Sequence, residues 1–84
     1  MQRERFFPAE LIRDLPHVSL TGDQMLSIEQ HHGMVSYQPD CIMFHTSAGD
    51  LTVMGSDLSV SRYTACEAVL TGRISAVRFR EAEG

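Results

Sequence analysis

The chain has 84 residues and a formal net charge of −4, with seven basic side chains, all of them arginine, against eleven acidic ones. This length predicts a single domain, and the acidic balance argues against binding of nucleic acid. No apolar run approaches the roughly 20 residues that a membrane-spanning helix needs, and the charged N-terminus lacks the apolar core of a signal peptide. We therefore expect a small cytoplasmic domain.

The first 16 residues form a predicted N-terminal arm with a short amphipathic helix over residues 8–15. Pro8 suits the first turn of a helix, where a missing N–H costs nothing, and Pro16 ends it. Apolar residues recur within the arm at helical spacing: Phe7, Leu11, Ile12 and Leu15. Because two helical turns are not stable alone, this helix must dock on another surface.

From His17 onward the apolar pattern changes to a period of two, which is typical of strands. An aliphatic residue, a Ser or Thr and a second apolar residue recur six times, as in Val18-Ser19-Leu20 and Leu51-Thr52-Val53. Each unit places two apolar groups on one face and a hydroxyl on the other. Predicted turn residues lie between these units: Pro16, Gly22, Gly33, Gly49, Gly55 and Gly72.

The predicted fold class is all-β, with an all-β domain over residues 17–80 and an acidic tail over 81–84. Eight short strands are predicted: 17–21, 24–30, 33–38, 40–46, 50–55, 57–63, 66–71 and 73–80. A β-bulge near Ser75-Ala76 lets the apolar residues of the last strand share a face. The favoured architecture is a small antiparallel sheet curled into a sandwich or barrel. The alternative is a short β-solenoid, which the uneven glycine spacing disfavours.

The order of these elements resembles the YabP/YqfC family of sporulation proteins, most closely its YqfC branch. The resemblance covers residues 14–80. Its matching features, in chain order, are Asp14-Leu15-Pro16, Gly22, Leu26-x-Ile28-Glu29-x-His31-x-Gly33, an apolar strand near Ile42, Thr46-x-x-Gly49, Leu51-x-Val53-x-Gly55, Leu58-x-Val60 and Gly72-x-Ile74-x-x-Val77.

The resemblance implies a process rather than a chemistry. Proteins of this family act in the mother cell during endospore formation and are typically encoded beside multi-pass membrane proteins. The family has no associated enzymatic activity, and its matching positions are glycines, a proline and core aliphatics. The resemblance therefore implies no catalytic residue, no cofactor and no small-molecule substrate.

Histidines and cysteines are the only candidates for site chemistry in this sequence. His31, His32 and His45 define an alternative function, a small metal- or ligand-binding β-barrel. Zinc sites usually show closer ligand pairs than this chain offers, so we expect no metal. Cys41 and Cys66 are interpreted as buried thiols, because free cysteine is among the most buried residue types.

Two sets of residues are candidates for contacts with partners. Phe6, Phe7, Leu11 and Ile12 either cap the open end of the barrel, or dock on a partner or the membrane interface. Arg78 and Arg80 share a strand face that binds an acidic partner or is merely solvated.

The predicted function is a non-catalytic interaction or assembly module of the sporulation programme. It would act by self-association or by docking on a multi-pass membrane protein, through an exposed strand edge or the Phe6/Phe7 segment. The expected location is the mother-cell cytoplasm, including the periphery of a membrane.

Overall fold

A computed structural model describes residues 14–81, and these residues form one antiparallel sheet of six strands. The strands are β1 (His17–Thr21), β2 (Met25–Glu29), β3 (His31–Gln38), β4 (Cys41–Thr46), β5 (Gly49–Tyr63) and β6 (Glu67–Arg80). Their order across the sheet is β1-β2-β6-β5-β4-β3. The expected all-β fold is confirmed within this part of the chain.

The sheet is open rather than closed, so the predicted barrel is wrong. Strands β1 and β3 lie at the two ends of the strand order and do not pair with each other. The solenoid alternative is also wrong, because all five strand pairings are antiparallel and a solenoid would stack parallel rungs.

Six strands replace the predicted eight because β5 and β6 are each about twice the predicted length. The segments 50–55 and 57–63 are one continuous strand, and the segments 66–71 and 73–80 are another. The glycines that predicted turns there, Gly55 and Gly72, instead lie inside the strands near shifts of the β5–β6 register. The predicted bulge is confirmed, because Met54 pairs with Ala76 and Gly55 with Ile74, which leaves Ser75 as the extra residue.

These bulges bend the long β5–β6 hairpin, so that the two halves of the sheet face each other across the core. Strand β2 pairs with residues 67–71 of β6, whereas β4 pairs with residues 49–54 of β5. Although β2 and β4 are not neighbours in the sheet, Leu26 and Phe44 are both fully buried in one core cluster. The other buried apolar members are Ile28, Ile42, Leu51, Val53, Leu58, Ala68, Leu70 and Ile74.

The β1–β2 turn and the β3–β4 turn both accept hydrogen bonds from the long β5–β6 hairpin near its bend. The β3–β4 turn accepts hydrogen bonds from β5, from Gly55 N to Asp40 O at 3.1 Å and from Leu58 N to Pro39 O at 2.8 Å. At Gly55 a side chain would not fit, since a Cβ atom would lie 1.9 Å from the carbonyl oxygen of Arg73. Glycine here thus serves close approach of two backbones rather than turning.

The predicted helix over residues 8–15 falls, except for its last two residues, outside the described residues. Phe6, Phe7, Leu11 and Ile12 all lie outside them as well. Within the described range, residues 14–81, no helix has the length and apolar character to cross a membrane.

Candidate interaction surfaces

The sheet leaves an apolar groove between β1 and the C-terminal half of β6. These two segments do not pair with each other, because β2 pairs with only the N-terminal half of β6. The groove is a cavity of about 310 Å³. We define the apolar groove by its lining residues: Leu20, Gly22, Asp23, Ile74, Ser75, Ala76 and Val77.

One end of the apolar groove is closed by the turn between β1 and β2. Ile74 N donates a hydrogen bond to Asp23 O at 2.7 Å, and Gly72 N donates to Gln24 O at 3.3 Å. Farther along β6, Phe79 lies on the core-facing side opposite Leu51 and is 47% exposed. The exposed apolar surface of β6 therefore continues beyond the groove to Phe79.

Asp14, which precedes β1, contacts one residue of β3 and one residue of the turn between β4 and β5. Ser47 Oγ donates to Asp14 O at 2.7 Å, and His32 Nε2 lies 2.9 Å from Asp14 Oδ1. Gly49, two residues after Ser47, packs directly against the carbonyl of Arg80, the last residue of β6. Asp14 is thus anchored beside the end of β6 while the chain continues into β1.

The corner between β2 and β3 is closed by backbone hydrogen bonds and a buried histidine. Gln30 N and His31 N both donate to Cys66 O, at 2.6 and 3.1 Å. His31 is 2% exposed. Its Nε2–H donates to Thr64 O at 3.1 Å, and its Nδ1 accepts from Gly33 N at 3.0 Å.

Aromatic rings complete this closed corner. The His31 ring stacks on Tyr63 with centroids 5.1 Å apart and tilts against Phe44 at 5.2 Å. Both ring nitrogens are occupied and both faces are covered, which leaves no lone pair for a metal. His31 is a structural residue.

The other two histidines of the proposed metal site are exposed and each meets a carboxylate. His32 contacts Asp14, and His45 Nδ1 lies 2.6 Å from Asp50 Oδ1. Among residues 14–81 no three side chains of His, Cys, Asp or Glu are grouped to hold a metal ion. The structure therefore does not assemble His31, His32 and His45 into one centre.

Arg78 and Arg80 lie on the outer face of the sheet, in rows that run across β4, β5 and β6. Arg78 is in register with Thr52, and Arg80 with Asp50, which also pairs with His45. A cavity of about 180 Å³ on this face is lined by the two arginines together with Cys41, Met43, Asp50, Thr52 and Met54. Because Asp50 lies on this same face, in register with both Arg80 and His45, the arginine face is mixed in charge rather than uniformly basic.

The prediction of two buried thiols is wrong. Cys41 is half-buried on this outer face, and Cys66 is exposed in the segment between β5 and β6. The carbonyl of Cys66, rather than its thiol, has a structural role, because it accepts the hydrogen bonds from Gln30 N and His31 N. No sequence pattern indicates that role, because a residue of any type supplies a backbone carbonyl.

Among residues 14–81, strand β3 is the second edge of the sheet, and its exposed apolar side chains were not predicted from the sequence. Val35 is 48% exposed and Tyr37 is 51% exposed. Two register shifts interrupt the pairing of β3 with β4. Val35 is the unpaired residue between Met34 and Ser36, whose partners are the adjacent Phe44 and Met43.

The remaining predicted turn residues take varied places. Pro16 directly precedes β1, Gly22 begins the β1–β2 turn with φ 55°, and Gly49 is the first residue of β5 with φ 116°. Gly33 lies inside β3 with φ 124°, at its first register shift. A further cavity, of about 540 Å³, is lined by Asp23, Gln24, Asp57, Thr71, Gly72 and Arg73.

Comparison with known proteins decides the family. The YabP family matches residues 14–84, which is most of the chain. The chain belongs to the YabP family. It is also similar to an uncharacterised protein of Bacillus subtilis named YqfC, with 24% identity over 74 residues that cover 88% of this chain and 80% of the relative. The resemblance to the YabP/YqfC family is therefore confirmed.

Proposed function

We propose that this YabP-family protein is a non-catalytic interaction module of endospore formation that acts in the mother cell. It works by self-association or by docking on a membrane-protein partner. Family membership supports the process, and the sheet edges support the mode of action. Neither the described side chains nor the family pattern supplies a nucleophile with a positioned base, so we assign the function to surfaces of the sheet.

The observation that carries this proposal is the edge strand β3. An edge strand presents unpaired N–H and C=O groups to which a further strand can be added. On β3, Val35 and Tyr37 expose about half of their surface beside those groups. Tyrosine is enriched at protein interfaces because its ring contributes contact area and its hydroxyl a hydrogen bond.

The self-association mode is tested by light scattering of the full chain in solution. Wild-type protein should have a mass above that of the monomer, and the double variant Val35→Lys/Tyr37→Lys should be monomeric, because lysine on an edge opposes strand addition. The control is Met25→Lys, which replaces a partly exposed apolar residue on β2, a strand that is paired on both sides.

Each outcome has a clear meaning. An oligomer that is lost in the β3 variant and kept in the Met25 variant supports assembly through this edge. A wild-type monomer would exclude self-association and leave docking on a membrane protein as the mode. An oligomer that persists in both variants would show that β3 is not the assembling edge.

A further inference from the structure

The outer face of β4 and β5 carries a separate inference about metal binding. We propose that Cys41, Met43 and Met54 form a site for one soft monovalent metal ion, Cu(I), held by one thiolate and two thioether sulfurs. The inference goes beyond the proposed function and does not depend on it, because it uses a face of two paired strands rather than an edge strand.

The first argument is the placement of the three sulfur-bearing side chains. Cys41 of β4 is directly opposite Met54 of β5, and residues paired in this way have Cβ atoms about 4.5–5.5 Å apart. Met43 lies two residues along β4 on the same face, about 7 Å from Cys41 at the rise of a strand. It is also the diagonal neighbour of Met54, a separation of about 7–8 Å. Because methionine side chains are long and flexible, the three sulfurs can converge on one ion.

The second argument is the space beside these sulfur-bearing side chains. One cavity, of about 180 Å³, is lined by all three of them. Each of the three residues is half-buried. The core-facing residues between and beside them, such as Ile42 and Phe44, are fully buried on the other side of the strand. The sulfur-bearing side chains therefore are not needed to fill the core and remain accessible to an ion.

The third argument is that hydrogen bonds fix the backbone around the site. Gly55 N donates to Asp40 O at 3.1 Å, which ties the residue after Met54 to the residue before Cys41. Ser75 Oγ donates to Met54 O, also at 3.1 Å. Ligands whose backbone is held in place before the ion arrives lose less conformational freedom on binding.

The donor set decides which ion the site takes. Thiolate and thioether sulfurs are soft ligands that favour Cu(I), whereas Mg²⁺ and Ca²⁺ take oxygen ligands. Zinc takes Cys, His and carboxylate ligands, and within residues 14–81 no group of three such side chains includes Cys41. A pattern of His and Cys ligands does not show this site, because two of its three donors are methionine.

The charge of the neighbouring side chains is compatible with a bound Cu(I) ion. Arg78 and Arg80 line the same cavity. On binding, the Cys41 thiol loses its proton to solvent and Cu(I) takes the place of that proton, so the net charge beside the arginines does not change. The ion keeps its oxidation state, and no other bond of the protein forms or breaks.

A titration of the full chain with Cu(I) tests the site. In a Cys66→Ser background, which leaves Cys41 as the single cysteine, anaerobic competition with bicinchoninate measures stoichiometry and affinity. We expect one Cu(I) per chain and loss of binding in Cys41→Ser. Met54→Leu keeps the size of the side chain and should weaken binding about tenfold or more, since even an outer-shell partner contributes about 10–100-fold to metal affinity. Met25→Leu, at a partly exposed methionine of β2, is the matched control and should bind like the background.

Methyl NMR of methionine-labelled protein locates the bound ion directly. Added Cu(I) should shift the methyl resonances of Met43 and Met54, because their sulfurs coordinate it. The resonances of Met25 and Met34, which lie on β2 and β3, should stay in place and serve as controls within the same sample.

Three results would overturn the proposal. Binding that is lost in Cys41→Ser but unchanged in Met54→Leu would show that the thiol alone holds the ion. Half an equivalent of Cu(I) with a doubled mass by light scattering would show that the ion bridges two chains. Equal shifts of all four methionine methyl resonances, or no binding in competition with bicinchoninate, would show that this face has no site.

Discussion

The closed corner between β2 and β3 and the apolar groove differ in how completely the core is covered. At the closed corner, Cys66 O ties β2 and β3 to the start of β6, and the buried His31 ring fills the gap between the two halves. At the groove, β1 and β6 diverge, and Leu20 and Phe79 remain half exposed. The difference shows that the described residues complete one side of the core with their own side chains and backbone bonds, but not the other.

The largest expected effect is the difference in unfolding free energy between truncating a fully buried ring and truncating a half-exposed one. Phe44→Ala removes a fully buried ring and should lower the free energy of unfolding by about 3–5 kcal/mol, since lost transfer energy and a cavity add together. Phe79→Ala should cost about 1 kcal/mol or less if half of its surface stays in water. Urea unfolding of both variants measures the difference.

The stabilities of the Phe44 and Phe79 variants show whether the groove is covered in solution. If Phe79→Ala costs nearly as much as Phe44→Ala, Phe79 is covered in solution, and the cover must come from residues outside the described range or from another chain. If Phe44→Ala costs as little as Phe79→Ala, the two halves of the sheet do not share a tight core.

The second prediction concerns the closed corner between β2 and β3. His31→Leu leaves the Gly33 N–H and the Thr64 carbonyl without their ring partners and removes the stack on Tyr63. The free energy of unfolding should fall by about 2 kcal/mol, because lost hydrogen bonds to partly buried groups cost about 1–3 kcal/mol. His45→Leu is the matched control, and its exposed pair with Asp50 should contribute at most about 1 kcal/mol.

Chemical denaturation of both histidine variants provides the check. A His31 variant as stable as the His45 variant would mean that the ring only fills space. In that case the three hydrogen-bonded and stacked contacts of His31 would not explain why this side of the sheet is closed.

The strand pattern was predictable because each strand has one face on the core. Alternation of apolar and hydroxyl residues correctly identified most of the strands, and the three apolar residues of the last strand correctly indicated the bulge at Ser75. The same local pattern could not show that Gly55 and Gly72 lie within long strands. Glycine is also used where two backbones approach closely, and that approach is set by the neighbouring strand.

The candidate surfaces were less predictable than the strands, for a topological reason. Whether Leu20, Val35 or Tyr37 is exposed depends on which strands lie at the ends of the sheet, and β6 separates β2 from β5 in an order that alternation alone does not encode. His31 was likewise open to a metal-site interpretation, because its partners at Gly33 and Thr64 become neighbours only when the corner closes.

The smallest expected effect concerns the contact that anchors Asp14 ahead of β1. Ser47→Ala removes the hydrogen bond from Ser47 Oγ to Asp14 O, an exposed contact that should contribute about 0.5–1 kcal/mol. Ser61→Ala is the matched control, since Ser61 Oγ donates to Val69 O in a similarly exposed bond. Global stability should therefore barely distinguish the two variants.

Hydrogen exchange resolved by residue should separate these two serine variants where unfolding cannot. The backbone amides of Leu15 and His17 should exchange faster in Ser47→Ala than in Ser61→Ala, because only the first frees the chain between Asp14 and β1. Equal exchange in both variants would show that His32 alone holds Asp14, through its 2.9 Å contact with the carboxylate. Faster exchange confined to Ser47→Ala would instead identify this hydrogen bond as the contact that fixes the chain just before β1.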